Sequence, residues 1–198
     1  LIGCGSWGKN IARNLHQMGT LACIYDTDQS LLQKLNQNFN LPTYSINDIF
    51  KNEKIQALVI ASSAKTHKDL AEEALLNNKD VLIEKPFCLS LSDATNLSKL
   101  AIKNNRVLMV GHLLNYHNAF IKMKDLIKKG KIGKIKNIRA NRLALGAIRS
   151  HESVLYDLAA HDISMILSIT QELPVEISTH SIHHNSNIGP DAISVKLS

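Results

Sequence analysis

Three groups of residues in this 198-residue chain have types and spacings that could do chemistry. The first is Gly3-Cys4-Gly5-Ser6-Trp7-Gly8, a G-x-G-x-x-G directly behind the apolar pair Leu1-Ile2. Glycine at the first position permits a tight strand-to-helix turn. At the second it lets the backbone approach a pyrophosphate, and at the third it lets the helix pack close to the sheet. The N–H groups near Ser6 and Trp7 then meet phosphates with the favourable end of the helix dipole. Such a loop alone is weak evidence, because glycines also collect in ordinary turns. Its context strengthens it: the next apolar run, 21–25, ends in Asp26, 18 positions after Gly8. The acid that binds an adenosine ribose is expected about 20 residues on. The alternative for Asp26 is a cap for the following helix. No Arg or Lys lies within 27–32 to accept a 2′-phosphate, so NAD is expected and NADP disfavoured.

The second group is Lys85-Pro86, behind the run 80–84. A lysine at the carboxyl end of a parallel strand enters the ligand crevice, and Pro86 holds the residue before it extended. This X-Pro bond is expected to be cis. Partly desolvated beside a cationic ring, the Lys85 ammonium could transfer a proton near working pH; a lone lysine at a strand end would otherwise be a surface charge. The third group is Asp157 and His161, four apart and so on one face of a helix. The imidazole could relay or accept a proton, and the carboxylate could orient it or bind a neighbouring hydroxyl. Their apolar neighbours Leu155, Leu158, Ala159, Ala160 and Ile163 fit a solvated pair poorly, whereas Asp162 faces away and reads as structural. His67 either caps a helix or touches the cofactor. Trp7 either covers the pyrophosphate or simply packs. His180, His183 and His184 lie on a strand where H-x-x-H splits across two faces, and no metal is expected.

The elements that must position these groups alternate regularly. Helical patterns occupy 7–18 (Ile11, Leu15 and Met18 on one face), 29–39, 46–51, 66–77 and a stretch to 104 opened by the pair Ser90 and Asp93. Strand patterns occupy 21–25, 57–61, 80–84 and 107–111, with a loop and brief strand at 41–44. Continuously apolar strands separated by helices imply a parallel sheet covered on both faces, doubly wound, with its ligand crevice at the carboxyl strand ends. Past His112 the rhythm changes to a helix at 119–129, a strand at 135–145, a helix at 154–169 and strands at 175–183 and 192–197. The fold class is therefore α/β: a Rossmann domain at 1–112 and an incomplete α+β domain at 113–198 with an open, mostly antiparallel sheet. The first strand holds only two residues and no initiator Met is present, so the chain reads as a fragment.

Composition agrees. At 44% hydrophobic the chain can bury a core, and no apolar run approaches the 18 or so residues of a membrane span. Cys4, Cys23 and Cys88 lack metal-type spacing and read as reduced thiols of a cytoplasmic protein. The net charge of +6 concentrates in 122–149, where ten Lys or Arg accompany one acid, Asp125. Without aromatic interleaving this does not read as a nucleic-acid face. It is a solvated helix and turn, or a field that draws in an anionic small substrate.

Taken together, Gly3–Gly8, Glu84-Lys85-Pro86 and Asp157-Leu158-Ala159-Ala160-His161-Asp162 resemble the glucose-fructose oxidoreductase / inositol dehydrogenase / MocA family. The resemblance covers the whole chain. It implies that Glu84 and Ser62 join the cofactor site, although Ser62-Ser63 departs from the family's usual Thr-Pro pair. It implies a sugar hydroxyl as substrate and a homo-oligomer for a full-length protein. Residues 111–117, 141–143 and 155–163 look most like the branch that oxidises C3 of UDP-N-acetylglucosamine or its uronate, ahead of an aminotransferase step in cell-envelope sugar synthesis. On that likeness Asn115, Tyr116 and Arg142 are substrate-binding, and Lys85 and His161 handle one proton of the same hydroxyl. A free polyol or aldose is the alternative substrate, and a cofactor-binding remnant without turnover is the alternative class.

Overall fold

Ile2 is the hinge of the sheet order. Three apolar runs pair in parallel, β1 (Ala57–Ile60), β2 (Asp80–Ile83) and β3 (Leu108–Val110), with Leu58 opposite Val81 and Val81 opposite Leu108. Ile2 extends them through parallel bridges to Ile60 on one side and Tyr25 on the other. Its N–H donates to Val59 O at 2.8 Å, and the Gly3 N–H donates to Tyr25 O at 2.9 Å. The chain thus leaves Ile2 in both directions, the doubly wound arrangement whose switch point lies between Ile2 and β1. In this computed structural model residues 1–143, 153–182 and 191–198 are described, and the chain divides into two units, Leu1–Gly111 and His112–Ser198.

Side chains alternate across the first unit's sheet. Ile2, Cys23, Leu58, Ile60, Val81 and Ile83 pack on one face with Ala71, Ala74 and Leu75 of α4 (Ala64–Leu76) and Leu97 and Ala101 of α5 (Leu91–Lys103). Leu1, Cys4 and Ile24 pack on the other, with Ala12 of α1 (Gly8–Gln17) and Leu32 and Leu35 of α2 (Gln29–Phe39). Helices therefore cover both faces, which is why the strands are apolar apart from Asp80 at the start of β2. Asp28 caps α2 by accepting from the Ser30 and Leu31 N–H groups, Ser45 and Asp48 form a capping box on α3 (Ile46–Lys51), and Ser90 with Asp93 opens α5 as expected. Three expectations shift. Met18 is exposed, so the buried stripe of α1 does not reach it. Residues 21–24 form no strand beyond the bridge at Tyr25, and 41–44 join no sheet.

The second unit contains a 3-10 turn (Leu113–Tyr116), α6 (Asn118–Lys128), a π-helical turn (Leu155–Ala159), α7 (Ala160–Thr170) and the antiparallel pair β4 (Ile177–Ile182) and β5 (Ala192–Leu197). Ile177 stands opposite Leu197. Lys124 Nζ donates to Ser168 Oγ at 2.6 Å, tying α6 to α7. The expected strand at 135–145 is not formed over 135–143, and its last two residues lie outside the described residues. A strand exists only where a neighbour completes its ladder, and no described strand pairs with this one. His151, Arg149, His183 and His184 also lie outside the described residues.

Candidate functional site

The glycine loop closes on itself as tightly as its residue types allow. A Cβ on Gly3, whose φ is +89°, would lie 2.6 Å from the Ala61 carbonyl carbon and strike the Ser62 N. A Cβ on Gly8 would strike the Gly3 carbonyl oxygen. Gly5 differs: nothing approaches its Cβ position within 4 Å. The first and third glycines are thus needed by the fold, whereas the second faces open space where a phosphate backbone could approach. The helix that follows begins at Trp7 without a side-chain cap, leaving first-turn N–H donors for an anion. This cradle fits a dinucleotide pyrophosphate.

Asp26 lies beside that cradle. Its Oδ2 accepts from the Cys4 N–H at 2.6 Å and its Oδ1 from the Asp28 N–H at 2.9 Å. It is not the cap of α2, a role taken by Asp28. The carboxylate fastens the glycine loop to the end of the second apolar run and keeps spare lone pairs for hydroxyl donors. Burial pushes the Cys4 thiol up to about 11, with the Asp26 charge adding to the shift, so it is an inert apolar filler beneath the loop.

Glu84 and Lys85 follow β2 at its carboxyl end, and the Lys85-Pro86 peptide is cis, as the sequence predicts. The Glu84 N–H donates to Ile60 O at 2.8 Å, which holds it against the end of β1. Its Oε1 accepts from Trp7 Nε1 at 2.9 Å. That bond joins residues 77 apart, and only the aromatic residue at the helix start hinted at it. Trp7 stands at the N-cap of α1 without a side-chain cap bond and does not pack inside; it is partly exposed and reaches across to Glu84.

His67 does not cap α4, whose N-cap position is Ser63. It is 1% exposed, with Nδ1 at 2.8 Å from the Pro86 carbonyl and Nε2 at 3.1 Å from the Ser62 carbonyl. Buried carbonyls need donors, and this ring stands between the two loops behind the crevice. The Ser62 hydroxyl bonds the Thr66 hydroxyl at 2.8 Å.

In the second unit the D-x-x-x-H segment is not a plain α-helix. Asp157 sits within the π-helical turn and His161 in the first turn of α7. Such turns insert into helices often at functional sites. The 3-10 turn bearing Asn115 and Tyr116 packs on α7. The Asn115 Oδ1 is buried without a hydrogen-bond partner, and Tyr116 is exposed. Arg142 grips Asp162 with both ends of its fork, Nε to Oδ2 at 2.9 Å and Nη2 to Oδ1 at 2.8 Å. That pairing raises the guanidinium pKa and makes Asp162 structural, as expected. It also commits two Arg142 donors to holding 142 on α7. A groove of about 920 Å³ runs along Arg142, Asp162, Ile166 and Leu197, and none of Asn115, Tyr116, Asp157 or His161 lines it. Among the described residues no three His, Cys, Asp or Glu side chains gather as a metal site, and no helix is long and apolar enough to cross a membrane.

Residues 1–112 match an oxidoreductase family with an NAD-binding Rossmann fold, Gfo/Idh/MocA. The chain belongs to that family. Its relatives within the family include UDP-N-acetylglucosamine 3-dehydrogenase of Acidithiobacillus ferrooxidans, 28% identical over 178 residues (89% of this chain, 55% of the relative). The solved structure of that enzyme superposes with a TM-score of 0.89 at 25% identity, covering 100% of this chain and 64% of that one. A 2,7-anhydro-N-acetylneuraminate hydratase of Escherichia coli is 28% identical over 146 residues (72% of this chain, 38% of the relative). A myo-inositol 2-dehydrogenase of Thermotoga maritima is 25% identical over 186 residues (89% and 56%). The chain thus spans between about two fifths and just over half of these Gfo/Idh/MocA relatives. Their named activities differ, so membership gives the family and its nicotinamide cofactor but not the substrate.

Proposed function

We propose that the protein is an NAD-dependent dehydrogenase that oxidises C3 of a UDP-N-acetylhexosamine, or of its uronate, to a ketone in cell-envelope polysaccharide or lipid A sugar synthesis. The observation that carries this reading is the likeness to UDP-N-acetylglucosamine 3-dehydrogenase over 100% of the chain at a TM-score of 0.89. Gly3, Gly5, Ser6, Trp7 and Gly8 hold the pyrophosphate, Asp26 the adenosine ribose, and Ser62, Glu84 and Lys85 flank the nicotinamide. NAD is favoured over NADP because Asp26 is an anion and 27–32 hold no cation. When bound, the nicotinamide supplies the hydride acceptor. Lys85 and His161 act as one unit that accepts the single hydroxyl proton, Asp157 orients the imidazole, and Asn115, Tyr116 and Arg142 bind the sugar. The full-length protein acts as a cytoplasmic homo-oligomer.

The test is NADH formation by the full-length protein, followed at 25 °C across UDP-N-acetylglucosamine, its uronate, UDP-glucose and myo-inositol. Turnover of the N-acetylated sugar nucleotides alone supports the reading. Turnover of myo-inositol alone favours the free-polyol alternative, which the Thermotoga maritima relative supports. NAD binding by the 198-residue chain itself with no turnover of any sugar points to a cofactor-binding remnant.

A further inference from the structure

The Glu84 carboxylate is held from two sides. The Trp7 indole donates to its Oε1 at 2.9 Å. On the other side Gly111 leaves the space the carboxylate fills: a Cβ there would lie 2.9 Å from Oε1, 3.1 Å from Cδ and 3.2 Å from Oε2. Gly111 is not in the left-handed region, so its backbone does not require glycine. The position of Glu84 does. The Gly111 N–H in turn donates to Ile83 O at 2.7 Å, fixing it beside the end of β2. A flexible glutamate is thereby confined to one place at the carboxyl edge of the sheet, where a doubly wound fold binds its ligand.

A fixed carboxylate in that crevice distinguishes two forms of one cofactor. Oxidised nicotinamide carries a positive charge and the reduced ring is neutral, whereas the adenosine and pyrophosphate parts are the same in both. A unit charge held nearby attracts the cation by more than it affects the neutral ring. We propose that Trp7 and Gly111 are positioning residues that hold the Glu84 carboxylate so that the protein prefers the oxidised over the reduced nicotinamide dinucleotide. This rests on the NAD-binding reading above.

The test measures dissociation constants of NAD⁺, NADH and ADP-ribose by calorimetry on the 198-residue chain and three variants. Trp7→Phe keeps the ring but loses the N–H; Gly111→Ala pushes the carboxylate aside; Glu84→Gln keeps the acceptor oxygen and removes the charge. In each, the ratio Kd(NAD⁺)/Kd(NADH) should rise about fivefold, and in Gly111→Ala and Glu84→Gln ADP-ribose affinity should hold within about twofold. Circular dichroism checks that each variant is folded, and Glu84→Gln, which adds no bulk, keeps the test open if either of the others is not. An unchanged ratio overturns the inference, as does equal weakening of all three ligands, which would make Trp7 and Gly111 packing residues of the loop. Tighter binding of every ligand to Glu84→Gln overturns it too, since the carboxylate would then face the phosphates. If the unmodified chain binds none of the three, the NAD-binding reading itself fails, which the other outcomes leave standing.

Discussion

Single residues in the first unit have more than one task, and their variants should show it. Asp26 accepts from the loop N–H of Cys4 and is proposed to accept from a ribose hydroxyl as well. Asp26→Ala should weaken NAD binding and narrow the gap between NAD and NADP, measured as the two dissociation constants; equal loss of both would assign Asp26 to loop support alone. Lys85→Ala in the full-length protein should lower turnover by about 100-fold or more, the scale of a lost general base, with NAD affinity largely kept. His161→Ala should do likewise. The double variant should be scarcely worse than either, because groups acting as a unit are non-additive. Losses that multiply would separate the two roles.

Elements make their own predictions. Gly5 and Gly8 share one loop but meet different surroundings. Gly8→Ala must displace the Gly3 carbonyl, so it should lower both thermal stability and NAD affinity. Gly5→Ala meets nothing, so it should lose NAD affinity by more than about tenfold while the melting temperature stays close to that of the parent. At the start of α2, hydrogen bonds from the Ser30 hydroxyl and the Leu31 and Ser30 N–H groups hold the Asp28 carboxyl below its ordinary range. A depressed folded-state value means its support for α2 is fully present above the ordinary carboxylate pKa. That support fades as pH falls through the lower folded value. Asp28→Asn keeps a good cap without the titration, so its stability should fall less steeply than the parent's in acid unfolding below about pH 4, the ordinary Asp value.

At the scale of the whole molecule the two units differ in how much they bury. Every buried apolar side chain among the described residues lies in the first unit except Phe120. β4 is exposed at every position, and Val175 just before it is 98% exposed. Amide hydrogen exchange of the 198-residue chain should therefore be slow in β1 and β2 and fast in β4 and β5, since local opening costs little where few apolar contacts close. Equal protection in both sheets would contradict this. Thiol labelling gives a second view. Burial pushes Cys4 and Cys88 up to about 11 and raises Cys23 as well. Iodoacetamide at pH 8 should modify all three slowly in the native protein, speeding up as pH rises toward 11 or on denaturation.

The amino-acid sequence by itself determined whatever rests on local chemistry. The bounds of α2, α3 and β5 follow from apolar period and capping residues, and the Ser90–Asp93 opening of α5 is a contact within one turn. The glycine loop was legible because Gly3 and Gly8 are demanded by backbone geometry at fixed spacing. Family and cofactor class follow from that loop together with E-K-P and D-x-x-x-H. Only the tertiary structure decided which distant groups meet. The Trp7–Glu84 bond, the His67 ring between Ser62 and Pro86, and the Arg142 fork on Asp162 each join separate elements. No periodicity encodes such pairs, because side-chain polar contacts are chosen by packing after the elements form. The strand expected at 135–145 did not form over 135–143, because a strand is completed by a neighbour and not by its own residues, and no described strand pairs with it. The π-helical turn at Leu155–Ala159 likewise has no signature in a 3.6-residue pattern, since one extra residue per turn is a backbone choice made in context.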